Sequence, residues 1–155
     1  MIKKDEFKVI ARNKKASHDY YILEKFEAGL QLYGTEIKSI RLGKVSINEA
    51  YVDFKNGEAI IKNMHISKYK EGNIFNHDEL RDKRLLLHKK EILKLQIKSQ
   101  KESLTVIPLE VIIKHGLAKV EIALCQGKKN YDKREALKQE ENKKYVDNTL
   151  KKYGH

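Results

Sequence analysis

The stretch AYVDFKNGEAII, residues 50–61, decides the fold class of this chain. Aromatic and β-branched residues alternate with polar ones around Asn56-Gly57, which is a strong signal for a two-residue hairpin turn. Ser46 and Glu49 have capping-box spacing and favour a helix instead, but the alternation that follows them is the stronger pattern. We therefore expect two antiparallel strands joined at Asn56-Gly57.

A second hairpin is predicted further along the chain, with strands over 104–113 and 117–124 and a turn at 114–116. Pro108 lies inside the first of these strands. Because proline cannot donate a backbone hydrogen bond, it implies an edge strand or a bulge. Cys125 follows in an apolar context and is expected to be a core residue.

Shorter elements surround the two hairpins. They are a strand over 18–26 that turns at 27–29, a strand over 30–33, a helix over 36–42 capped by Thr35 and ended by Gly43, a surface loop over 69–82, a strand over 85–87 and a helix over 88–100. In the last helix we expect Ile92, Leu93 and Leu95 to face inward.

Six or so strands, two to three short helices and no βαβ alternation predict a mainly β protein. The expected architecture is an OB-fold-like antiparallel β-barrel with a disordered basic C-terminal tail. We expect a flexible basic N-terminal arm over residues 1–8, the barrel domain over 9–125 and the tail over 126–155.

The chain is strongly basic: 33 Lys and Arg against 22 Asp and Glu give its 155 residues a formal net charge of +11. This balance indicates an anionic partner such as nucleic acid, a ribosome or an anionic membrane, although a solubilising surface would also account for it. No apolar run approaches the roughly 18 residues that cross a bilayer, and the N-terminus lacks the apolar stretch of a signal peptide. We expect a cytoplasmic protein with no membrane partner.

No pattern for catalysis or metal binding is recognisable in the sequence. Its six histidines are scattered without metal-ligand spacing, and no phosphate-cradling glycine motif is present. We therefore expect no catalytic residue, no metal and no cofactor, hence a binding module and not an enzyme. An RNA-processing enzyme on a barrel scaffold and a constitutive ribosomal protein are the alternatives.

Basic residues are interleaved with groups that can stack on unpaired bases. Lys83-Arg84 precedes the strand over 85–87, and His88-Lys89-Lys90 follows it. The tyrosines that offer planar faces are Tyr20, Tyr21, Tyr33 and Tyr131. Each of them also suits a core position, except Tyr131, whose surroundings offer no core.

Residues 126–155 hold nine Lys or Arg against five Asp or Glu and few large apolar side chains. Such a segment cannot bury enough surface to offset its conformational entropy, so we expect it to be disordered alone. Asp132 and Glu135 nevertheless have capping-box spacing, and Glu140–Lys144 is a favourable i,i+4 pair. The tail is therefore predicted to become helical when a partner supplies the missing surface.

Five blocks of the sequence resemble, in order, the SsrA-binding protein family, SmpB. They are NKKASHDYYI (13–22), FEAGL (26–30), GTEIKSIR with GK (34–44), RLLLHKKEI (84–92) and GKKNYDKR (127–134). The resemblance implies an OB-fold barrel that binds the tRNA-like domain of transfer-messenger RNA (tmRNA). It also implies delivery of that RNA to stalled ribosomes for trans-translation, in which incomplete peptides are tagged for degradation.

The partners that the resemblance implies are tmRNA, the ribosome with its small-subunit ribosomal RNA and, through tmRNA, elongation factor Tu and alanyl-tRNA synthetase. The implied RNA-binding residues are Asn13, Lys14, Lys15, Glu27, Lys38, Arg41, Lys44, Arg84, Leu86, His88, Lys89 and Lys90. Glu27 should repel phosphate, so it either accepts hydrogen bonds from a base or 2′-OH, orients a nearby lysine, or is a structural turn acid. Leu86 is expected to shape the surface as a barrel residue.

The resemblance assigns the start of the tail to the ribosomal decoding centre and the helix after it to the empty message channel. The implied tail residues are Gly127, Lys128, Lys129, Tyr131, Asp132, Lys133 and Arg134. Asp132 would start the helix, and Lys133 and Arg134 would meet ribosomal RNA phosphate. Tyr131 stands where many relatives have histidine, so stacking is its expected role.

Overall fold

The computed structural model describes residues 7–72 and 76–129. Nine strands and three helices follow one another in this part of the chain. They are β1 (Phe7–Arg12), α1 (Ala16–Asp19), β2 (Tyr20–Leu30), α2 (Gly34–Arg41), β3 (Val45–Ser46), β4 (Tyr51–Lys55), β5 (Glu58–Lys62), β6 (His65–Ile66), β7 (Lys83–Leu86), α3 (Lys89–Lys101), β8 (Thr105–Lys114) and β9 (Leu117–Gly127).

Six antiparallel strands close a barrel in the order β8-β4-β5-β7-β2-β9 and back to β8. One edge of β8 pairs with β9 along its whole length. Its other edge is shared, because β4 meets it at Val52–Val106 alone and β1 pairs with its second half. The mainly antiparallel β fold with three helices is confirmed, and the OB-type topology stays a prediction.

Both predicted hairpins are confirmed. Asn56 and Gly57 have φ values of 53° and 75°, and His115 and Gly116 have 52° and 77°. Two consecutive residues with positive φ are the geometry of a type I′ turn, whose twist matches that of the flanking strands. Lys114 therefore belongs to β8, where it pairs with Leu117.

The bulge predicted from Pro108 is present, since the β8–β9 register shifts between Pro108 and Glu110. The alternative of an edge strand is wrong, because β8 has partners on both sides. At Pro108 itself β8 has a strand partner only on the β9 side, since β4 meets β8 at Val106 and β1 pairs with it from Glu110 onward, and such a gap in the ladder tolerates a residue without an N–H.

The strands predicted on either side of Gly29 are wrong in their boundaries. Residues 16–19 form α1, and β2 then runs without a turn from Tyr20 to Leu30. A Cβ added to Gly29 would lie 3.2 Å from the Cβ of Leu86 on β7. The glycine therefore serves close approach of two strands rather than a change of direction.

Three further predictions need correction. β1 begins at Phe7, inside the arm expected over residues 1–8. The N-cap of α2 is Tyr33 and not Thr35. Ile92 and Leu95 are buried as expected, but Leu93 is 58% exposed, since it is about 100° around α3 from Ile92.

The core is filled by aliphatic side chains from the barrel strands, from α2 and from β6. Its fully buried members include Ile40, Ile61, Ile66, Leu85, Val111, Val120 and Ile122. Cys125 lies in a smaller cluster with Ile107 and Leu109, which confirms it as a core residue. Burial raises the pKa of its thiol to about 11 and so disfavours the thiolate.

A buried ion pair ties the loop that precedes β7 to the start of α2. The Glu36 carboxylate is fully buried and accepts hydrogen bonds from Arg81 Nη2 (2.6 Å) and Nε (3.2 Å). It also accepts the Tyr33 backbone N–H at 2.8 Å. Arg81 donates in addition to the carbonyl oxygen of Gln31 at 3.1 Å. The loop predicted over 69–82 has no helix or strand among its described residues, and these contacts fix its end at Arg81.

Replacing Glu36 with alanine leaves the Arg81 guanidinium without its buried partner. We expect the free energy of unfolding, measured by urea denaturation, to fall by about 3 kcal/mol. Glu49→Ala is the matched control, because Glu49 pairs with Lys15 at 2.8 Å on an exposed surface. Loss of such an exposed pair costs less than about 1 kcal/mol. Equal losses in the two variants would contradict the proposed importance of the buried pair.

Candidate nucleic-acid interface

An open groove of about 360 Å³ lies where β2, β7, α2 and the β8–β9 turn meet. Its lining is mostly apolar, with two cationic side chains at the rim. The residues that matter for its character are Leu32, Ile37, Arg41, Leu86, Leu117 and Lys119. Leu86 is 51% exposed, so it shapes the surface as expected rather than the barrel interior.

Arg41 joins two sides of this groove. It lies in the last turn of α2, where a cation is favoured by the helix dipole. Its Nη2 donates a hydrogen bond to the carbonyl oxygen of Gly116 at 3.2 Å, in the turn between β8 and β9. The side chain remains exposed, so its other donors face solvent.

Glu27 organises the lysines beside the groove. Its carboxylate lies 3.1 Å from Lys119 Nζ and 3.6 Å from Lys114 Nζ. Partial burial tends to raise the pKa of Glu27, but the hydrogen bond from Lys119 and the two ammonium charges outweigh it and hold that pKa below its usual range. The geometry agrees with a carboxylate that orients lysines. The alternative of a structural turn acid is wrong, because Glu27 lies within β2.

His88, Lys89 and Lys90 continue from β7 into α3, beside Leu86. His88 is the N-cap, and its backbone N–H donates to Glu91 Oε1 at 3.1 Å. Lys89 and Lys90 are exposed in the first helical turn. Cations are unfavourable at a helix N-terminus, so helix stability does not explain this pair. Their position suits an anionic partner, which would also meet the positive end of the helix dipole.

Three other predicted RNA-binding residues lie apart from the groove lining. Arg84 points away from the barrel interior and pairs with Glu58 at 3.5 Å. Lys38 Nζ lies 5.4 Å from the centre of the Tyr69 ring. Lys44 is exposed just after α2.

Asn13, Lys14 and Lys15 lie at the junction of β1 and α1. Asn13 uses both ends of its amide within the protein: Nδ2 donates to the carbonyl oxygen of Pro108 at 3.0 Å, and Oδ1 accepts from the Lys15 backbone N–H at 3.2 Å. The Lys15 ammonium pairs with Glu49, which raises the pKa of Lys15. Only Lys14 offers an exposed side chain with no ion pair among the described residues.

The tail leaves the barrel beside α1. β9 continues to Gly127, past the boundary expected at residue 126, and Gly127 pairs with Tyr20. The Lys128 backbone N–H donates to the Asp19 carbonyl at 2.8 Å, and its Nζ donates to the Ser17 carbonyl at 3.0 Å. Lys129 is exposed. The remaining predicted tail residues, which lie outside the described part of the chain, are Tyr131, Asp132, Lys133 and Arg134.

Two groups of the predicted site residues form surfaces at opposite ends of β2, apart from Arg84, Lys38 and Lys44. Glu27, Arg41 and Leu86 are brought together at the groove, whereas the 13–15 segment and Lys128 lie near Tyr20. The seven residue-to-residue steps along β2 from Tyr20 to Glu27 span about 23 Å. One strand thus separates the two surfaces by roughly the width of an RNA helix.

Lys114 and Lys119 are the residues that we did not predict from sequence. The available signal was the alternation in β9, where Lys119 lies between the buried Ala118 and Val120 and must point outward. What sequence could not show is that the barrel register places Lys119 opposite Gly29, next to Glu27.

Lys83 is the reverse case, a basic residue that is not available to phosphate. It is fully buried, and its Nζ donates to the carbonyl oxygens of Met64 at 2.7 Å and Arg81 at 2.6 Å. Burial lowers the pKa of the Lys83 ammonium to about 8. Lys83 therefore supports the loop before β7 rather than the RNA surface.

Within residues 7–72 and 76–129, no group of three or more His, Cys, Asp or Glu residues could hold a metal ion. In the same part of the chain, no helix has the length and apolar character needed to cross a membrane.

A small basic barrel with cationic side chains around an apolar groove is typical of proteins that bind nucleic acid. The family described as "SmpB protein" matches residues 10–152. The chain therefore belongs to the SmpB family. SmpB is a family of RNA-binding proteins and not of enzymes, so the prediction of a binding module is confirmed.

Individual relatives agree along nearly the whole chain. An SsrA-binding protein of Enterococcus hirae is 51% identical over 150 residues, which cover 97% of each chain. One of Ligilactobacillus salivarius is 52% identical over 145 residues, which cover 94% of each. A solved chain described as "tmRNA-SmpB: a journey to the center of the bacterial ribosome" is 41% identical with a TM-score of 0.66, and the match covers 81% of this chain and 92% of that one.

The pKa of Lys83 predicts a stability change at alkaline pH. The folded protein releases the Lys83 proton near pH 8, whereas the unfolded chain keeps it to about 10.5. Between these values the unfolded state binds more protons, so the stability of the wild type rises with pH. Relative to Lys83→Met, we expect a gain of up to about 3 kcal/mol between pH 8 and 10.5.

Urea denaturation of the wild type and of Lys83→Met across this pH range gives the difference between their free energies of unfolding. Contributions from all other titrating groups cancel in that difference. Lys62→Met, at a surface lysine on β5 that pairs with Asp53, is measured in the same way as the control for loss of a lysine outside the interior. A wild-type advantage over Lys83→Met that stays constant with pH would rule the linkage out.

Proposed function

We propose that this protein binds the tRNA-like domain of tmRNA through the groove surface and delivers that RNA to stalled ribosomes for trans-translation. Relatives with about half of their residues identical are named SsrA-binding proteins. The solved chain that matches most of this one is described as tmRNA-SmpB in the bacterial ribosome. Family membership and the groove thus support the same function.

The observation that carries this proposal is the Glu27–Lys119–Lys114 cluster beside the exposed Leu86. A surface that only attracts RNA needs no carboxylate, because phosphate contacts alone supply the affinity. A carboxylate that fixes two lysines restricts where phosphates can lie, and an apolar groove accepts base or sugar surface. Such an arrangement suits one folded RNA, which proteins recognise by shape and by contacts to 2′-hydroxyls and unpaired bases.

We propose that the tail acts on the ribosome and not on the RNA-binding surface. The chain leaves the barrel at Lys128, at the far end of β2 from the groove. A barrel arranged in this way can hold RNA at one end while the tail reaches the decoding centre and message channel from the other. Elongation factor Tu and alanyl-tRNA synthetase would be met through the bound tmRNA, and the cytoplasm is the expected location.

Lys119→Ala should weaken binding to the isolated tRNA-like domain on the order of tenfold and reduce the salt slope of log K by about one, since one phosphate contact is lost. Lys62→Ala is the matched control. Lys62 also lies on a strand, pairs with an acid at 3.6 Å and has a side chain 32% exposed, against 30% for Lys119.

Filter binding at several salt concentrations measures both variants. The wild type should prefer the tRNA-like domain to an unrelated hairpin of equal length. If it shows no preference, the proposed function is wrong. If Lys62→Ala and Lys119→Ala weaken binding equally, the groove is not the binding surface.

Deletion of residues 130–155 should leave affinity for the tRNA-like domain within about twofold, because the contacts of Gly127 and Lys128 are kept. The same deletion should abolish peptide tagging in a reconstituted translation reaction. A deletion that begins at residue 126 is the comparison, since it also removes the Gly127–Tyr20 pairing and the Lys128 contacts to α1. Loss of RNA affinity in the shorter deletion would show that tail and barrel do not act separately.

A further inference from the structure

Tyr33 is an exposed aromatic residue held in a fixed position between β2 and α2. The residue is 59% exposed. Its backbone N–H donates to the buried Glu36 carboxylate, which fixes the main chain at the start of the helix. A single exposed aromatic ring is common on protein surfaces, so only its surroundings can indicate a role for Tyr33.

Arg81 covers one face of this ring. The guanidinium carbon lies 4.2 Å from the ring centre, within the range of a cation–π contact. Arg81 is itself held by two hydrogen bonds to Glu36 and one to the Gln31 carbonyl. Since Arg81 covers one face of the ring, the solvent-accessible surface of Tyr33 lies on the opposite face and the edge. The ring is therefore a rigid platform with one open face.

The platform continues the groove along α2. Tyr33 is the N-cap of α2, and Ile37 and Arg41 follow at intervals of four residues, so these two helical residues lie on one side of the helix that Tyr33 begins. Ile37 and Arg41 line the groove. Lys38 adds a further cation on the same short helix. The helix that leads from the groove to Tyr33 thus carries two basic side chains, Lys38 and Arg41.

We propose that Tyr33 stacks on an unpaired base of the RNA bound in the groove, with Arg81 as its support from behind. This proposal rests on the proposed function and adds a residue that recognises an unpaired nucleotide. Aromatic rings accept any base on their face, so the contact selects an unstacked nucleotide rather than a sequence. The cation behind the ring favours a nucleic-acid partner over an apolar peptide.

The chain contains no tryptophan, so Tyr33→Trp introduces a single fluorescent reporter at the platform. We expect its emission to be quenched when the tRNA-like domain is added to saturation, with affinity unchanged. Tyr51→Trp is the control, because Tyr51 is an exposed tyrosine on β4, which contributes nothing to the groove. Its emission should not change.

Affinity gives a second readout. Tyr33→Phe keeps the ring and should bind like the wild type, whereas Tyr33→Leu should bind about tenfold more weakly. A scan of single abasic nucleotides through the tRNA-like domain then locates the base. At one unpaired position, removal of the base should lower the affinity of the wild type for the RNA about tenfold. The same removal should not lower the affinity of Tyr33→Leu any further.

The outcomes separate the two proposals. If the emission of the Tyr33→Trp variant stays unquenched at saturation while the wild type still prefers the tRNA-like domain, the stacking platform is overturned and the proposed function stands. No preference of the wild type for that domain would overturn both. Thermal melting of each variant without RNA shows that the fold is kept, and Tyr33→Trp keeps the test valid if Tyr33→Leu does not fold.

Discussion

The antiparallel pairing of β2 with β9 is the constraint on which the rest of this structure depends. It runs from Tyr20–Gly127 to Gly29–Lys119 and closes the barrel together with the β8–β9 hairpin. At one end it sets Lys119 beside Glu27 and the groove. At the other end it brings the last residue of β9 to α1, where the tail begins. A slip of this register by one residue would move Lys119 to the barrel interior and change both surfaces together.

Although the net charge of the chain is +11, acidic residues determine the positions of basic side chains at two places. Glu27 holds Lys114 and Lys119 on the surface, and Glu36 holds Arg81 at the base of Tyr33. The Glu27 cluster is partly exposed to solvent, so its worth lies in geometry more than in stability. In the other pair the Glu36 carboxylate is fully buried while Arg81 is 25% exposed, so loss of Arg81 would leave a buried charge uncompensated. In both cases the carboxylate limits the positions that a flexible basic side chain can take, and a defined RNA contact needs that limit.

Local sequence signals correctly predicted the elements that depend on neighbouring residues. They gave wrong predictions for residues whose role depends on a strand that is distant in the sequence. The turns at Asn56-Gly57 and His115-Gly116, the bulge at Pro108 and the buried Cys125 all follow from local chemistry. Gly29 looked like a turn because its partner Leu86 lies 57 residues away in the chain. Lys83 looked like a phosphate ligand because the strand was predicted to begin only at residue 85, and because Leu85 and Leu86 are both apolar and do not show which face is interior. The candidate site was predicted in part for the same reason: Leu86 and Arg41 carry a family pattern, whereas Lys119 becomes relevant only through the closed barrel.

The block from Lys83 to His88 shows why fold and RNA recognition cannot be assigned to separate sets of residues here. Strand alternation sends Lys83 and Leu85 into the interior and leaves Arg84 and Leu86 outside. The inner pair supports the loop before β7 and fills the core, while the outer pair meets Glu58 and the groove. His88 then starts α3, whose first turn carries the exposed Lys89 and Lys90. Neighbouring residues in one motif thus have opposite roles, and the pleat of β7, more than the identity of each residue, decides which of them an RNA can reach.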